Sequence, residues 1–321
     1  MPAEWEPHEA TWIAWPHNRA DWPGRFAPIP WVYGEIVRKL AVVERVRILV
    51  QNEAIERQAR RVLEKCGANL DAVEFFRCET DRVWTRDYCP LFVKNRKGEI
   101  ALTAWRFNGW AKYPNYLRDA AVPGFLAQRL KLPVFTPGMV LEGGSIDPDG
   151  QGLLLTTEEC LLSPVQQRNP GMTREQIEER LARFLGVTQV LWLKTGIAGD
   201  DTHGHVDDLA RFTDPETVAL VAEADPADTL MLRRAGLRVV RLPMPRPLFF
   251  DGVRVPASYA NFYIANGLVL VPTFNDPNDR AALNTLAKLF PDREVTGVNC
   301  TELIWGLGAL HCMTQQQPAA G

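Results

Sequence analysis

Apolar and polar residues alternate in paired runs along the chain, and a turn sequence separates the two runs of each pair. The turns are Asn-Arg-Lys-Gly within 84–107, Pro-Asp-Gly within 139–157, Thr-Asp-Pro-Glu within 203–223 and Asn-Gly within 258–274. Asn-Gly between apolar runs is the strongest short-range signal for a hairpin. The pattern therefore predicts four β-hairpins.

A helical pattern follows each hairpin, and a short apolar run follows each helix. In "TREQIEERLARFLG", Thr173 is the predicted N-cap, Gln176 stands at the capping-box position and Gly186 is the predicted C-cap. The closing runs are "PVFT", "QVLWL", "RVVRL" and "EVTGV". The repeated unit is thus a hairpin, a helix and a strand, and the Pro-rich stretch 241–256 is predicted to be a long surface loop.

The repeat predicts a closed ring. Its markers, Asp87, Glu142, His205, Asn261 and Cys312, recur at steps of about 50 to 65 residues, as in repeat architectures. The tail run "LGALHCMTQ" lacks a hairpin partner, and "EATWIAWP" at the N-terminus could supply one. We therefore expect one α/β domain over residues 1–321, a fivefold pseudosymmetric α/β propeller of ββαβ units. Coincidental similarity of common ββα units is the alternative.

Composition narrows the function classes. The 321 residues carry a net charge of −3, with 46% hydrophobic and 23% charged residues, as in ordinary soluble proteins. This balance does not favour nucleic acid or an anionic membrane as partner, and it is compatible with a cationic ligand. The N-terminus has no signal-peptide pattern. The six cysteines form no CxxC pair, so we expect reduced thiols and a cytoplasmic protein.

The five ring markers are polar or ionisable where an apolar core would have Val or Leu. His205 and Asp207 are two residues apart, so on a strand they would share a face. Each residue alone has a structural interpretation: a buried core thiol for Cys312, a turn residue for Glu142, a local ion pair for Asp87. Their recurrence at one position of the repeat favours a shared site.

This set of residues suits attack on a planar cation. Two carboxylates can bind a guanidinium in the fork geometry of Arg–carboxylate pairs. A Cys thiolate can then attack the central carbon and displace ammonia, leaving a covalent intermediate for hydrolysis. An adjacent His can act as acid for the leaving amine and as base for water. The positive substrate would itself lower the Cys pKa.

The motifs that carry these residues resemble the agmatine deiminase family, also described as Porphyromonas-type peptidyl-arginine deiminases. The similar segments are "MPAEWEPHEATWIAWPHN", "WTRDYCPLFV", "LEGGSID", "GHVDDLARF", "SYANFYIANG" and "HCMTQQQP". The resemblance implies the pentein-like α/β propeller of the guanidine-modifying superfamily. It also implies hydrolytic deimination of a small cationic guanidino compound, with no cofactor and no metal.

The resemblance also implies roles by position. Cys312 is similar to the nucleophile, His205 to the acid/base, and Asp87 and Asp207 to the guanidinium-binding pair. Glu142 resembles the carboxylate that orients the catalytic His or supports guanidinium binding. The supporting residues that it implies are Asn261 and the pocket wall Trp84.

Three departures from the family pattern concern substrate choice. His203 stands where agmatine-specific members have Asp, Cys89 where they have Gly, and Ala309 where they have Asn. Asp201, just before the catalytic segment, is a candidate acceptor for an amine tail. His203 is predicted to weaken selection for such a tail.

Other functions remain open at this point. Free arginine and peptidyl-arginine are alternative substrates. An amidinotransferase or dimethylarginine hydrolase of the same superfamily is a second alternative, and a non-catalytic cation-binding propeller is a third. A zinc hydrolase could use His203, His205 and Asp207 with His311 or Cys312. A homodimer is left open.

Overall fold

The computed structural model describes residues 1–321, and its strands form five main sheets and one small hairpin. The strands are β1 (His8–Ala14), β2 (Arg45–Val50), β3 (Val73–Arg77), β4 (Leu91–Lys94), β5 (Ile100–Thr103), β6 (Val134–Phe135), β7 (Asp147–Pro148), β8 (Leu153–Thr157), β9 (Gln189–Leu193), β10 (Ala210–Asp214), β11 (Thr217–Val221), β12 (Arg238–Leu242), β13 (Phe249–Phe250), β14 (Val253–Arg254), β15 (Tyr263–Ala265), β16 (Leu268–Thr273), β17 (Glu294–Asn299) and β18 (Gln315–Pro318). The α-helices are α1 (Ile29–Leu40), α2 (Glu53–Cys66), α3 (Thr85–Tyr88), α4 (Leu117–Leu130), α5 (Glu158–Leu161), α6 (Arg174–Leu185), α7 (Pro226–Arg234) and α8 (Asp279–Leu289). The 3-10 turns are Arg19–Asp21, Leu70–Ala72, Gly143–Ser145, Val206–Asp208 and Leu303–Gly306. None of the helices is both long and apolar enough to span a bilayer.

Four sheets share the topology that the repeat predicts. Each joins an antiparallel hairpin to a parallel third strand, in the orders β4-β5-β6, β7-β8-β9, β10-β11-β12 and β15-β16-β17. Parallel neighbours need a crossover connection, usually helical, and here the crossovers carry α4, α6, α7 and α8. The Asn-Gly turn joins β15 and β16, with Gly267 at φ 69°. The four predicted hairpins are therefore present.

The two ends of the chain complete the fifth sheet. Its order is β18-β1-β2-β3, with β18 antiparallel to β1 and Trp12 opposite Gln315. The indole nitrogen of Trp12 also donates to Oε1 of Gln317 at 3.0 Å. The predicted docking of the tail on the N-terminal strand is confirmed, but the strand begins three residues after Cys312.

Local sequence explains how α6 begins and ends. The Thr173 hydroxyl accepts from the backbone N–H of Gln176, the Gln176 side chain bonds back to Thr173, and Gly186 ends α6 in the left-handed region. One face of α6 is buried through Ile177 and Leu181, in a cluster of 12 apolar residues beside the main cluster of 69. The capping box and the amphipathic face agree with the sequence pattern.

The Pro-rich stretch differs from the prediction. It was expected to be one long loop, yet residues 241–256 contain the two-residue strands β13 and β14, paired antiparallel. Asp251 and Gly252 both have positive φ, at 49° and 80°. Positive φ at both central residues is the signature of a tight hairpin turn, so this segment is a small hairpin on the surface.

Candidate active site

Short turns, and not strands, carry the predicted site residues. Asp87 lies in the one-turn helix α3, Glu142 precedes the 3-10 turn Gly143–Ser145, and His205 and Asp207 lie at the turn Val206–Asp208. The prediction that His205 and Asp207 share one face of a strand is wrong. The carboxylate of Asp200 accepts from the backbone N–H groups of Gly204 and His205 at 2.8 and 2.9 Å. Those bonds hold the backbone in a turn before β10 begins.

Cys312 lies in the turn before β18, and its thiol faces polar groups. Its Sγ lies 3.1 Å from Nδ2 of Asn261 and 3.8 Å from Oδ2 of Asp207. The same Asn261 amide donates to Asp208 at 3.0 Å. Asn261 is thus a donor to the sulfur atom, the group that would stabilise a thiolate at Cys312.

His205 stands among three carboxylates. Its Nδ1 lies 3.8 Å from Asp87 and 4.0 Å from Asp207, and its Nε2 lies 3.9 Å from Glu142. Both ring nitrogens are buried without a hydrogen-bond partner, as are Oδ1 of Asp207 and Oε2 of Glu142. Buried polar atoms are nearly always paired, so these orphan atoms mark where a polar ligand or water belongs.

A buried arginine that the sequence reasoning missed supports Glu142. Nε of Arg168 lies 3.0 Å from Oε1 of Glu142, and both side chains are inaccessible to solvent. Its other nitrogens donate to the backbone carbonyls of Gln166 and Thr202. Arg168 belongs to the turn-rich segment "QQRNPG", which shows no periodicity. The only sequence signal for its role is that it is a single basic residue among turn-forming residues.

Burial and neighbouring charges set the ionisation of the site. Burial raises the pKa of Asp87 to about 6, and the other carboxylates add to this rise while His205 opposes it. Burial alone would raise the pKa of Glu142, but Arg168 and His205 hold it at about 2. Burial alone would lower the pKa of His205, but Asp87, Cys160 and Glu142 raise it well above its usual range. Glu142 is therefore ionised beside an imidazolium.

The free thiol of Cys312 is protonated at neutral pH. Burial raises its pKa well above the usual value, and the charges of Asp207, Asp208 and Asp87 raise it further. Burial, with the charge of Asp207, likewise raises the pKa of Asp208 well above its usual range. A cation that enters this cluster would reverse the effect on Cys312, because positive charge favours the thiolate.

A cavity of about 280 Å³ leads to this cluster and is lined by both Asp87 and Cys312. Trp84, Trp110 and Trp305 form its aromatic walls. The Trp110 indole donates to Oδ2 of Asp87 at 2.9 Å. A larger groove of about 760 Å³ lies near Met1 and holds none of the predicted site residues. The smaller cavity is therefore the candidate active site.

The structure separates the two predicted substrate-tail residues. Asp201 lines the cavity, with its carboxylate bound by Lys112 and by the Tyr113 hydroxyl at 2.7 Å. His203 is outside the cavity lining: its ring lies against Ser163 at 3.1 Å and Glu159 at 3.7 Å. The expectation that His203 reads the substrate tail therefore has no geometric support.

Two groups of side chains could hold a metal ion. They are Glu142 with Cys160 and His205, and Asp207 with Asp208 and Cys312, each set with ligand atoms within 4.8 Å of one another. Neither is the zinc set considered from the sequence, because His203 lies apart from both.

Comparison with known proteins now identifies the family. The sequence profile of the Porphyromonas-type peptidyl-arginine deiminases matches residues 1–318. The chain belongs to this family. It is 36% identical to the agmatine deiminase of Pseudomonas syringae pv. syringae, over 99% of this chain and 95% of that protein.

Solved structures of family members have the same fold. The agmatine deiminase of Enterococcus faecalis matches with a TM-score of 0.89 and 32% identity, over 99% of this chain and 95% of that one. A Cys-to-Ser variant of the C. jejuni agmatine deiminase with substrate bound matches with a TM-score of 0.90 and 30% identity, over 100% and 96%. The chain is thus an α/β protein of the deiminase family, as its motifs predicted, and its six cysteines are free.

Proposed function

We propose that this protein hydrolytically deiminates agmatine, giving the ureido product and ammonia. The observation that carries the proposal is the convergence of Cys312, His205, Asp87 and Asp207 around unpaired buried atoms at one cavity. Relatives described as agmatine deiminases, one of them solved with substrate bound after exchange of a Cys, support it.

Binding places the guanidinium between two carboxylates. The carboxylate of Asp87 and Oδ1 of Asp207 lie 3.8 and 4.0 Å from Nδ1 of His205. Charge-assisted hydrogen bonds to both carboxylates would hold the cation in one plane. The arriving charge lowers the pKa of Cys312, and the thiol proton is released to solvent. Substrate therefore activates its own nucleophile, and the free protein keeps a less reactive thiol.

In the first half-reaction the Cys312 thiolate forms a bond to the guanidinium carbon. His205 gives its proton to one amino group, the C–N bond breaks, and ammonia leaves. The product of this step is a thiouronium ester on Cys312 with a neutral imidazole. Asn261, 3.1 Å from the sulfur, is placed to stabilise the thiolate before attack.

In the second half-reaction water adds to the thiouronium carbon while His205 takes a proton from it. The C–S bond then breaks, which returns the thiolate and the imidazolium. The remaining hydroxyl proton leaves to solvent, and a ureido group remains on the product. Glu142, held in place by Arg168, stabilises the protonated form of His205 in both half-reactions. The reaction balances without a cofactor.

The cavity favours an amine tail over a carboxylate. The only cation in its lining, Arg82, is already paired with Asp21 at 2.6 Å, and the other carboxylate at this end, Asp201, is paired with Lys112. The lining therefore offers no unpaired cation to an amino-acid carboxylate. A volume near the roughly 300 Å³ lower limit of ligand sites suits a small molecule better than a peptide.

We also infer that the five sheets are the blades of a fivefold pseudosymmetric propeller in one domain spanning residues 1–321. The shared sheet topology and the closure of the fifth sheet by both termini support this arrangement. Six free cysteines suit a reducing cytoplasm.

The function is tested by measuring ammonia release from agmatine, free arginine and a blocked arginyl peptide. We expect the highest kcat/KM for agmatine and no turnover by Cys312→Ser, with Cys300→Ser, a buried thiol outside the cavity, as matched control. Preference for arginine or the peptide would contradict the substrate assignment. Turnover by Cys312→Ser would contradict the covalent mechanism.

A further inference from the structure

A buried chain of three ionisable side chains lies behind the substrate site. Nδ1 of His311 lies 2.6 Å from Oδ2 of Asp207, and Nε2 of His311 lies 2.7 Å from Oε2 of Glu4. All three side chains are at least 95% buried. Glu4 comes from the N-terminal segment and His311 from the tail, neighbours only because the chain ends meet.

Glu4 is held by groups from distant parts of the chain. Arg86 donates to its Oε2 at 3.3 Å, Arg211 lies 3.0 Å from its Oε1, and the Ile264 backbone N–H donates to Oε1 at 2.8 Å. Burial alone would raise the pKa of Glu4, but Arg211, His311 and Arg86 hold it well below its usual range. Glu4 is thus a fixed carboxylate.

His311 joins Asp207 to Glu4 through both of its ring nitrogens. Burial alone would raise the pKa of Asp207, but the His311 hydrogen bond brings it below its usual value. Asp207 and Glu4 are therefore both ionised carboxylates, and each has one oxygen within hydrogen-bond distance of the His311 ring. No other titratable side chain bonds to that ring.

This contact leaves one oxygen of Asp207 for a ligand. Oδ2 is occupied by His311, while Oδ1 is buried, has no partner and lies 4.0 Å from Nδ1 of His205. The His311 backbone N–H also donates to Oδ1 of Asn261 at 2.9 Å, which ties the ring to the residue that faces the nucleophile.

We propose that His311 and Glu4 are positioning residues that keep Asp207 ionised and turned with Oδ1 towards the substrate guanidinium. Neither residue lines the cavity. The inference rests on the proposed function for the identity of the ligand, and it assigns a role to two side chains that the reaction itself does not use.

The test measures agmatine binding by calorimetry in a Cys312→Ser parent, where no turnover occurs. His311→Gln and Glu4→Gln should each weaken binding about 10- to 100-fold, the range seen when partners behind ligating groups are removed. If His311 acts through Asp207, then His311→Gln should add no further loss in an Asp207→Asn background. Binding within twofold of the parent, or full additivity with Asp207→Asn, would overturn the inference.

A matched control separates positioning from general stability. Glu44 belongs to another buried His–carboxylate pair, with His8 at 3.3 Å, and its side chain contacts none of the cavity-lining residues. Glu44→Gln should lower the melting temperature about as much as Glu4→Gln but leave agmatine binding unchanged. Equal loss of binding in Glu44→Gln would reduce the role of Glu4 to stability and overturn the proposal.

A second measurement needs no variant that risks misfolding and no substrate. In a crystal structure of the wild-type protein without substrate, both ring nitrogens of His311 should lie within hydrogen-bond distance of Asp207 and Glu4, with Oδ1 of Asp207 facing the His205 ring. An Asp207 carboxylate that makes no contact with His311 would overturn the inference. If agmatine fails to bind the parent while these contacts are present, then the proposed function fails and the contacts among Asp207, His311 and Glu4 stand.

Discussion

Adding one methyl group at Gly144 would place a carbon atom among the side chains that we propose to hold the substrate. A Cβ there would lie 2.6 Å from Nδ1 of His205, 2.9 Å from Oδ1 of Asp87 and 3.0 Å from Oδ2 of Asp207. Its φ lies outside the left-handed region, so Ala can adopt the same backbone conformation. Gly144→Ala therefore perturbs the site and leaves the backbone fold intact.

The size of the effect follows from these distances. Carbon contacts are optimal at about 3.5–4.0 Å, so all three side chains must move by roughly 0.5 to 1 Å. A misplacement of about 1 Å at a catalytic group can cost about 100-fold in rate. Extra volume in a packed interior costs about 1–3 kcal/mol of stability. We expect kcat/KM for agmatine to fall at least 100-fold while the protein still folds cooperatively.

The assay is ammonia release at saturating and limiting agmatine, together with a thermal melt. Gly124→Ala is the matched control: Gly124 is exposed in α4, and a Cβ there meets nothing within 4 Å. It should stabilise the protein by about 0.5–1 kcal/mol and leave turnover unchanged. A Gly144→Ala protein with more than a tenth of wild-type kcat/KM would refute the assignment of these three side chains to guanidinium binding.

Three further changes test other parts of the site. Arg168→Gln leaves Glu142 buried without the arginine as its counter-charge. This should lower the free energy of unfolding, measured by denaturant titration, by about 3–5 kcal/mol and remove most of kcat; wild-type stability and kcat in this variant would show that the pair is dispensable. Because the pKa of Asp87 is raised to about 6, its carboxylate is lost as the pH falls through that value, so kcat/KM should decline there, and an acid limb below pH 5 would contradict it. His203→Asp should leave the ratio of kcat/KM for agmatine and arginine unchanged, because the His203 ring lies outside the cavity; a shift towards agmatine would restore its role in reading the tail.

The sequence pattern predicted the repeated unit because that unit is determined locally. The capping box of Thr173 and Gln176 and the Asn-Gly turn before β16 are contacts within a few residues, so they can be read from spacing. The candidate site residues were selected for a different reason. Polar residues at equivalent positions of a repeat are conspicuous where apolar residues are expected.

What the sequence did not predict depends on contacts between distant segments. Arg168 meets Glu142 through an aperiodic loop, and Glu4 meets His311 across 307 positions, so neither pair leaves a periodic signal. The contact of the His203 ring with Ser163 was not predicted either, and its backbone has a φ of 64°, in the left-handed region. A backbone reversal of this kind cannot be inferred from residue spacing.

The covalent intermediate on Cys312 is the most direct test of the account. Enzyme mixed with agmatine and quenched in acid within one turnover should carry a mass increase equal to agmatine less ammonia. The increase should map to the peptide that contains Cys312 and be absent from Cys312→Ser. An adduct on another residue would contradict attack by Cys312 on the guanidinium carbon. So would rapid turnover without any adduct, provided that the His205→Gln variant, in which hydrolysis of the intermediate is slowed, accumulates no adduct either.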